Sequence, residues 1–131
     1  MNYKLNLQAG AILCLLAVML GAFGAHGLEN HLTDQMLQRY HTGVDYQFYH
    51  AFALIITGLL QLQITSKYLR YAGIAFVLGI ILFSGSLYSY ALSGIRLFGM
   101  ITPLGGVAFI FGWLFIITSM RQIPSARQMI K

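Results

Sequence analysis

The stretch GAFGAHGLENHLTDQMLQRYHTGVDYQFYH, residues 21–50, holds all four histidines and all three acidic residues of a 131-residue chain. On either side of it the chain consists of apolar runs punctuated by single basic residues. Chemistry beyond contact with lipid therefore has to be sought here or in polar groups that fold against it. The fold turns on whether the two ends of this stretch enter a helical bundle.

Composition sets the surroundings. Hydrophobic residues make up 58% of the chain and charged residues only 8%, against about 25% charged in soluble domains, and the mean hydropathy is +0.72. This is the composition of a membrane protein. A formal charge of +5 would suit nucleic acid if the basic side chains formed one stripe. They stand singly at the ends of apolar runs instead, a placement that suits anionic headgroups. Membrane lipids are the expected partners and nucleic acid is not. Cys14 is the single cysteine; it closes no intramolecular disulfide, offers no paired zinc motif, and reads as a small packing residue.

A hydrocarbon core of about 30 Å takes about 20 apolar residues per helix, and four runs qualify: residues 5–25, 44–64, 71–92 and 97–120. The first has features of a secretory signal, since Lys4 precedes the apolar core and Ala22-Phe23-Gly24 looks like a cleavage box. Its length exceeds the usual apolar stretch of about 7–15 residues, and Gly10, Ala17, Gly21 and Gly24 give it a small-residue face for helix packing. It is read as a retained span. The later runs are joined by short segments around Thr65-Ser66-Lys67 and Ser93-Gly94-Ile95-Arg96, which make them antiparallel neighbours. The expected fold is all-α, a four-helix transmembrane bundle forming one integral membrane domain over residues 1–131.

Lys4, Lys67, Arg70, Arg121, Arg127 and Lys131 fall on one side of this arrangement, Arg39 and Arg96 on the other. The positive-inside bias then puts both termini in the cytoplasm. Residues 21–50 come to the outer face, where three acids against Arg39 leave the stretch net acidic by two. Tyr46 and Tyr49 outside, with Tyr68 and Tyr71 inside, fall where interfacial aromatics anchor a span.

Within the first connection Leu28, Leu32, Met36 and Tyr40 recur every four residues, while Glu29, Asn30, Asp34 and Gln38 fall elsewhere around the helix. This pattern predicts a short amphipathic helix between spans 1 and 2, lying on the outer membrane surface or folding back over the bundle. His41-Thr42-Gly43 is expected to break it before the second span. Thr102-Pro103 reads as the N-cap and first helical residue of the fourth span, with residues 95–101 a separate short turn. Gly105 with Gly112, and Gly79 with Ser86, present smooth faces for helix contact. The polar tail 121–131 is expected to fray.

The outer half of such a bundle gathers His26 from the exit of the first helix and Tyr46, Gln47 and His50 from the second. Ser84, Ser86 and Tyr88 come from the third and Thr102 from the fourth. Tyr46 and His50, four residues apart, share a face. These eight are the candidate binding residues of a shallow outward-facing pocket beneath the amphipathic segment, since ionisable groups within a membrane are functional candidates. The plainer alternative is a His50 satisfied by a neighbouring Gln, Tyr or carbonyl.

Sharper chemistries find less support. Zinc takes three or four ligands in a tetrahedron, yet His26, His31, His41 and His50 contain no HxxxH or HxH pair, and haem attachment lacks its CxxCH. A nucleophile elbow is absent; Ser84-Gly85-Ser86 reads as a helix contact, and Gly105-Gly106 lies within an apolar helix rather than a phosphate loop. No acidic or basic residue falls in the middle of a span, where a transporter would be expected to carry one. No catalytic residue, metal or cofactor is expected. The leading expectation is a non-enzymatic module binding a lipid, a quinone-like molecule or a partner membrane protein. A permeation or transport protein working as a homo-oligomer is the second reading, and a histidine-dependent metal or haem protein the third.

Gly21-Ala22-Phe23-Gly24-Ala25-His26, Thr42-Gly43, Tyr46-Gln47 and His50 recur in a recognisable combination with Leu82-Phe83-Ser84-Gly85-Ser86-Leu87-Tyr88, Ile101-Thr102-Pro103-Leu104-Gly105-Gly106 and Gly112-Trp113. The chain resembles the YgdD-like group of small uncharacterised bacterial inner-membrane proteins. The resemblance implies a four-span protein of the bacterial inner membrane with its first helix retained, and it implies no activity.

Overall fold

A computed structural model describes residues 1–122, and these are helical with no strand among them. Helix α1 (Tyr3–Phe23) runs into a single π-helical turn, Gly24–Leu28. Helix α2 spans Asp34–Gln63. Helix α3 (Lys67–Gly79), a second π turn (Ile80–Ser84) and α4 (Gly85–Ser93) follow one another as one 27-residue rod. Helix α5 spans Arg96–Met120. Residues 3–28, 67–93 and 96–120 are each long and apolar enough to cross a membrane by length and composition. Helix α2 is long enough at 30 residues, but Tyr46, Gln47, Tyr49, His50, Gln61 and Gln63 dilute its apolar run.

Local chemistry sets the helix ends. Asn2, Thr33 and Ser66 each accept a hydrogen bond from a backbone N–H of the following turn, at 2.9, 3.3 and 3.3 Å, the capping role of short polar side chains. Helix α4 ends at Gly94 with φ of 71°, a left-handed C-cap where a Cβ would be strained.

Two expectations about element boundaries need correction. The amphipathic pattern of residues 28–40 does not form a separate short helix, because α2 continues through His41-Thr42-Gly43 without a break. Thr42 returns its hydroxyl to the Gln38 carbonyl at 3.0 Å, a bond compatible with helix, and Gly43 is buried against the Tyr88 ring. The missing side chain serves a contact there rather than a turn. The stripe itself packs inward, with Leu28 and Tyr40 buried beside Leu32, Met36, Val44 and Tyr88. Thr102-Pro103 likewise starts no helix: α5 begins seven residues before Pro103, which sits inside it. Pro103, itself exposed, withholds one N–H from the helical ladder.

Helix α1 packs along α2 and α3 along α5, and α2 also touches α3 and α4. Between α2 and α5 the gap is filled by aromatic side chains, including Tyr46, His50, Phe109 and Trp113. One apolar core joins Ala53, Leu54, Leu69, Ala72, Phe76, Ile80, Phe109 and Ile116; a smaller one closes the end where α1 leaves and α2 begins. The burial pattern is inverted relative to a soluble bundle. Asn6, Gln47, His50, Thr57, Ser84, Ser86 and Ser119 are buried, while Ile12, Leu15, Val18, Ile81, Leu104, Ile110 and Ile117 face outward. Residues 123–131, including Arg127, Lys131 and most of the tail expected to fray, lie outside the described residues.

Candidate functional site

The first π turn explains the glycines of the GAFGAH segment. A Cβ on Gly24 would come within 2.6 Å of the Tyr40 ring, and the Tyr40 hydroxyl donates to the Leu20 carbonyl at 2.9 Å. Removing the side chain at Gly24 lets α2 close on α1. His26 ends up exposed on this turn. His41 is half-buried against Tyr40 and Gly24.

The remaining candidates form separate groups on different faces. Gln47 is buried between three rods: its amide donates to the Leu13 carbonyl of α1 at 3.0 Å, and its oxygen accepts the Tyr88 hydroxyl of α4 at 2.9 Å. Ser86 and Thr102 join α4 to α5 through a 2.7 Å hydroxyl pair, and Ser86 also reaches the Phe83 carbonyl at 2.9 Å. Ser84 is fully buried in the second π turn, and its hydroxyl has no partner among the described residues. Gln47, Ser86 and Thr102 thus fasten helices together.

Tyr46 and His50 do line open space. His50 lies flat on Phe109, ring centres 3.4 Å apart and planes inclined by 7°, and Tyr46 stacks on Phe83 at 4.6 Å. The ring of His50 is held at both nitrogens: Nδ1 lies 2.8 Å from the Tyr46 carbonyl and Nε2 accepts the Trp113 indole N–H at 3.3 Å. That pair of bonds selects the neutral tautomer with its proton on Nδ1. It leaves no lone pair free for a metal. Among the described residues no three His, Cys, Asp or Glu side chains come together as a metal would require.

Around these rings a lateral groove of about 460 Å³ is lined by Tyr46, His50, Phe83, Pro103, Phe109 and Trp113, with Gly106, Val107 and Ile110 along its rim. Its lining is mainly apolar and includes the Tyr46 ring and the doubly bonded His50 ring. Sequence reasoning found Tyr46 and His50 but missed Phe83, Phe109 and Trp113, which read there as ordinary members of apolar runs. It also missed Asn6 and Gln61 at the opposite end, where the Asn6 amide donates to Gln61 at 2.8 Å and Gln61 to the Met1 carbonyl at 3.0 Å. Their polar character inside otherwise apolar segments was the available signal.

The family model described as a protein of unknown function, DUF423, matches residues 20–106. The chain belongs to the DUF423 family. Similar proteins agree. The UPF0382 membrane protein YwdK of Bacillus subtilis is 48% identical, the match covering 88% of this chain and 95% of the relative. A UPF0382 membrane protein of Staphylococcus haemolyticus is 47% identical over 88% of this chain and 94% of its own length. That of Staphylococcus epidermidis is 44% identical over 87% and 93%. No solved structure matches. The DUF423 match takes in the first π turn, all of α2 and the Phe83, Ser86 and Thr102 contacts, and it ends at Gly106 on the groove rim. This DUF423 chain is a membrane protein.

Proposed function

We propose that the protein is a four-span module of the bacterial inner membrane, one domain with both termini cytoplasmic, that binds a lipid-like molecule in the lateral groove between α2 and α5. The YgdD-like motifs belong to this reading. Four spans are supported by the two faces of α2: Gln47, His50 and Thr57 point inward while Phe52, Ile56, Leu59 and Leu62 are exposed. That inversion fits a helix surrounded by hydrocarbon, where polar groups must be satisfied internally. Orientation is supported by Lys4, Lys67, Arg70 and Arg121 at one end of the bundle against Arg39 and Arg96 at the other. A reporter fused after Lys131 should be active only as a cytoplasmic protein; activity of a periplasmic reporter at that point overturns the orientation.

The groove carries the binding reading. It is concave and mostly apolar, with a small number of oriented polar groups, the usual make-up of a small-molecule site. Of its described lining only Tyr46 and His50 are titratable, and both ring nitrogens of His50 are engaged, so the reading is of binding without turnover. Gly106 tests it. A Cβ there meets only the Phe83 ring, at 3.9 Å, so Gly106→Leu fills the groove while sparing the helix contacts. Lipid retained by the protein purified in mild detergent should fall several-fold in this variant; equal retention by both proteins sinks the reading.

A further inference from the structure

We propose that Arg39 and Arg96 form the headgroup end of this groove and seat the phosphate of an anionic phospholipid, whose acyl chain runs past Phe83 and Pro103 towards Trp113. The proposal rests on the groove reading above and names its ligand class. A second hollow, of about 530 Å³, is lined by Arg39, Arg96, Tyr90, Leu87, Thr102 and Gly99, and it shares Phe83 and Pro103 with the first. The two form one furrow along α5, with two cations at the outer end, no carboxylate in its described lining, and aromatic walls beyond.

The cationic end is built rather than incidental. The Arg39 guanidinium stands 4.6 Å from the centre of the Tyr90 ring, a cation–π contact that holds it over the hollow. Tyr90 is backed in turn by Gly99, where a Cβ would come within 3.0 Å of the ring. Arg96 opens α5 and is exposed across the same hollow. A guanidinium presents a donor fork matched to phosphate oxygens, and two of them compensate one phosphodiester with charge to spare.

The dimensions suit a lipid in the outer leaflet. From Pro103 to Trp113 α5 advances ten residues, about 15 Å at 1.5 Å per residue, which is half of a hydrocarbon core of about 30 Å. The phosphate at Arg39 and Arg96 and an acyl chain ending beside His50 and Trp113 fill that depth.

Native mass spectrometry of the protein, exchanged into detergent with equal phosphatidylglycerol and phosphatidylcholine of identical chains, tests this. The wild type should retain phosphatidylglycerol over phosphatidylcholine by roughly tenfold or more, the scale for two basic groups at an anionic interface. The double variant Arg39→Gln, Arg96→Gln should hold both lipids alike, and Arg39→Lys, Arg96→Lys should restore much of the preference. Equal retention of both lipids by the wild type, or a preference untouched in the glutamine variant, overturns the headgroup assignment while leaving the groove reading standing. Retention of either lipid undiminished by Gly106→Leu is the separate outcome that removes the groove and the assignment with it.

Discussion

The indole N–H of Trp113 on α5 donates to Nε2 of His50 on α2 at 3.3 Å, across the gap where these helices meet through aromatic rings. With Nδ1 engaged by the Tyr46 carbonyl, the imidazole is a fixed strut. His50→Phe preserves the stacking slot on Phe109 but leaves the indole donor without its acceptor, costing about 1–3 kcal/mol. Trp113 is the single tryptophan of the chain, so the emission comes from the indole that makes this contact. The variant should unfold at lower temperature in detergent and its emission should move to shorter wavelength as the indole loses its polar partner. Unchanged emission together with unchanged melting rules the contact out.

Gln47 makes two bonds that tie α2 to both α1 and α4. Its link to Tyr88 should therefore appear as a coupling energy, not only as two separate losses. Hydrogen bonds between membrane helices average about 0.6 kcal/mol and reach about 1.7. A double-mutant cycle with Gln47→Leu and Tyr88→Phe should give a coupling in the upper part of that range, because both groups are shielded from water. Additivity within about 0.3 kcal/mol, the behaviour of independent sites, would show that the two side chains do not meet.

At the outer end, Tyr40 replaces a free loop with a clasp. Its ring packs on Gly24 and its hydroxyl caps the Leu20 carbonyl. Tyr40→Phe should cost about 0.5–1.5 kcal/mol for the lost bond, while Gly24→Leu should do more damage by wedging α1 from α2. Amide hydrogen exchange over residues 20–41 locates the effect: protection should fall slightly in the first variant and strongly in the second. Equal exchange in Gly24→Leu and wild type contradicts the close approach.

Periodicity and length made the helices legible, because hydrocarbon thickness imposes a fixed run of apolar residues. Boundaries failed where a residue that usually signals a turn had another use. Gly43 admits Tyr88 and Pro103 lies within α5, and neither use is visible without the partner helix. The candidate site was half legible for a related reason. Ordinary polar residues such as Gln47, Ser86 and Thr102 stand out in an apolar sequence, yet they turned out to bond helix to helix. The groove is formed by Phe83, Phe109 and Trp113, and nothing in an apolar run distinguishes a ring facing a groove from one facing a lipid tail. Arg39 and Arg96 entered the topology count as charges, and only the fold brings both to one hollow.

Neighbouring glycines in α5 provide the most direct test of how that helix lies. A Cβ on Gly105 would run into the Phe83 backbone nitrogen and Cβ, at the second π turn, whereas one on Gly106 finds only ordinary contact with the Phe83 ring. Backbone cannot swing aside as a flexible side chain can, so Gly105→Ala forces α5 away from the α3–α4 rod. Overpacking of this kind costs about 1–3 kcal/mol, and it should also loosen the Ser86–Thr102 pair that bridges the same helices. Gly106→Ala should be neutral or slightly stabilising, since alanine is the better helix former by about 1 kcal/mol. Thermal unfolding of the two variants side by side should separate them by several degrees. Identical melting would mean that α5 does not approach Phe83 at this register, and with it the groove wall formed by Phe83 and Pro103 would be lost.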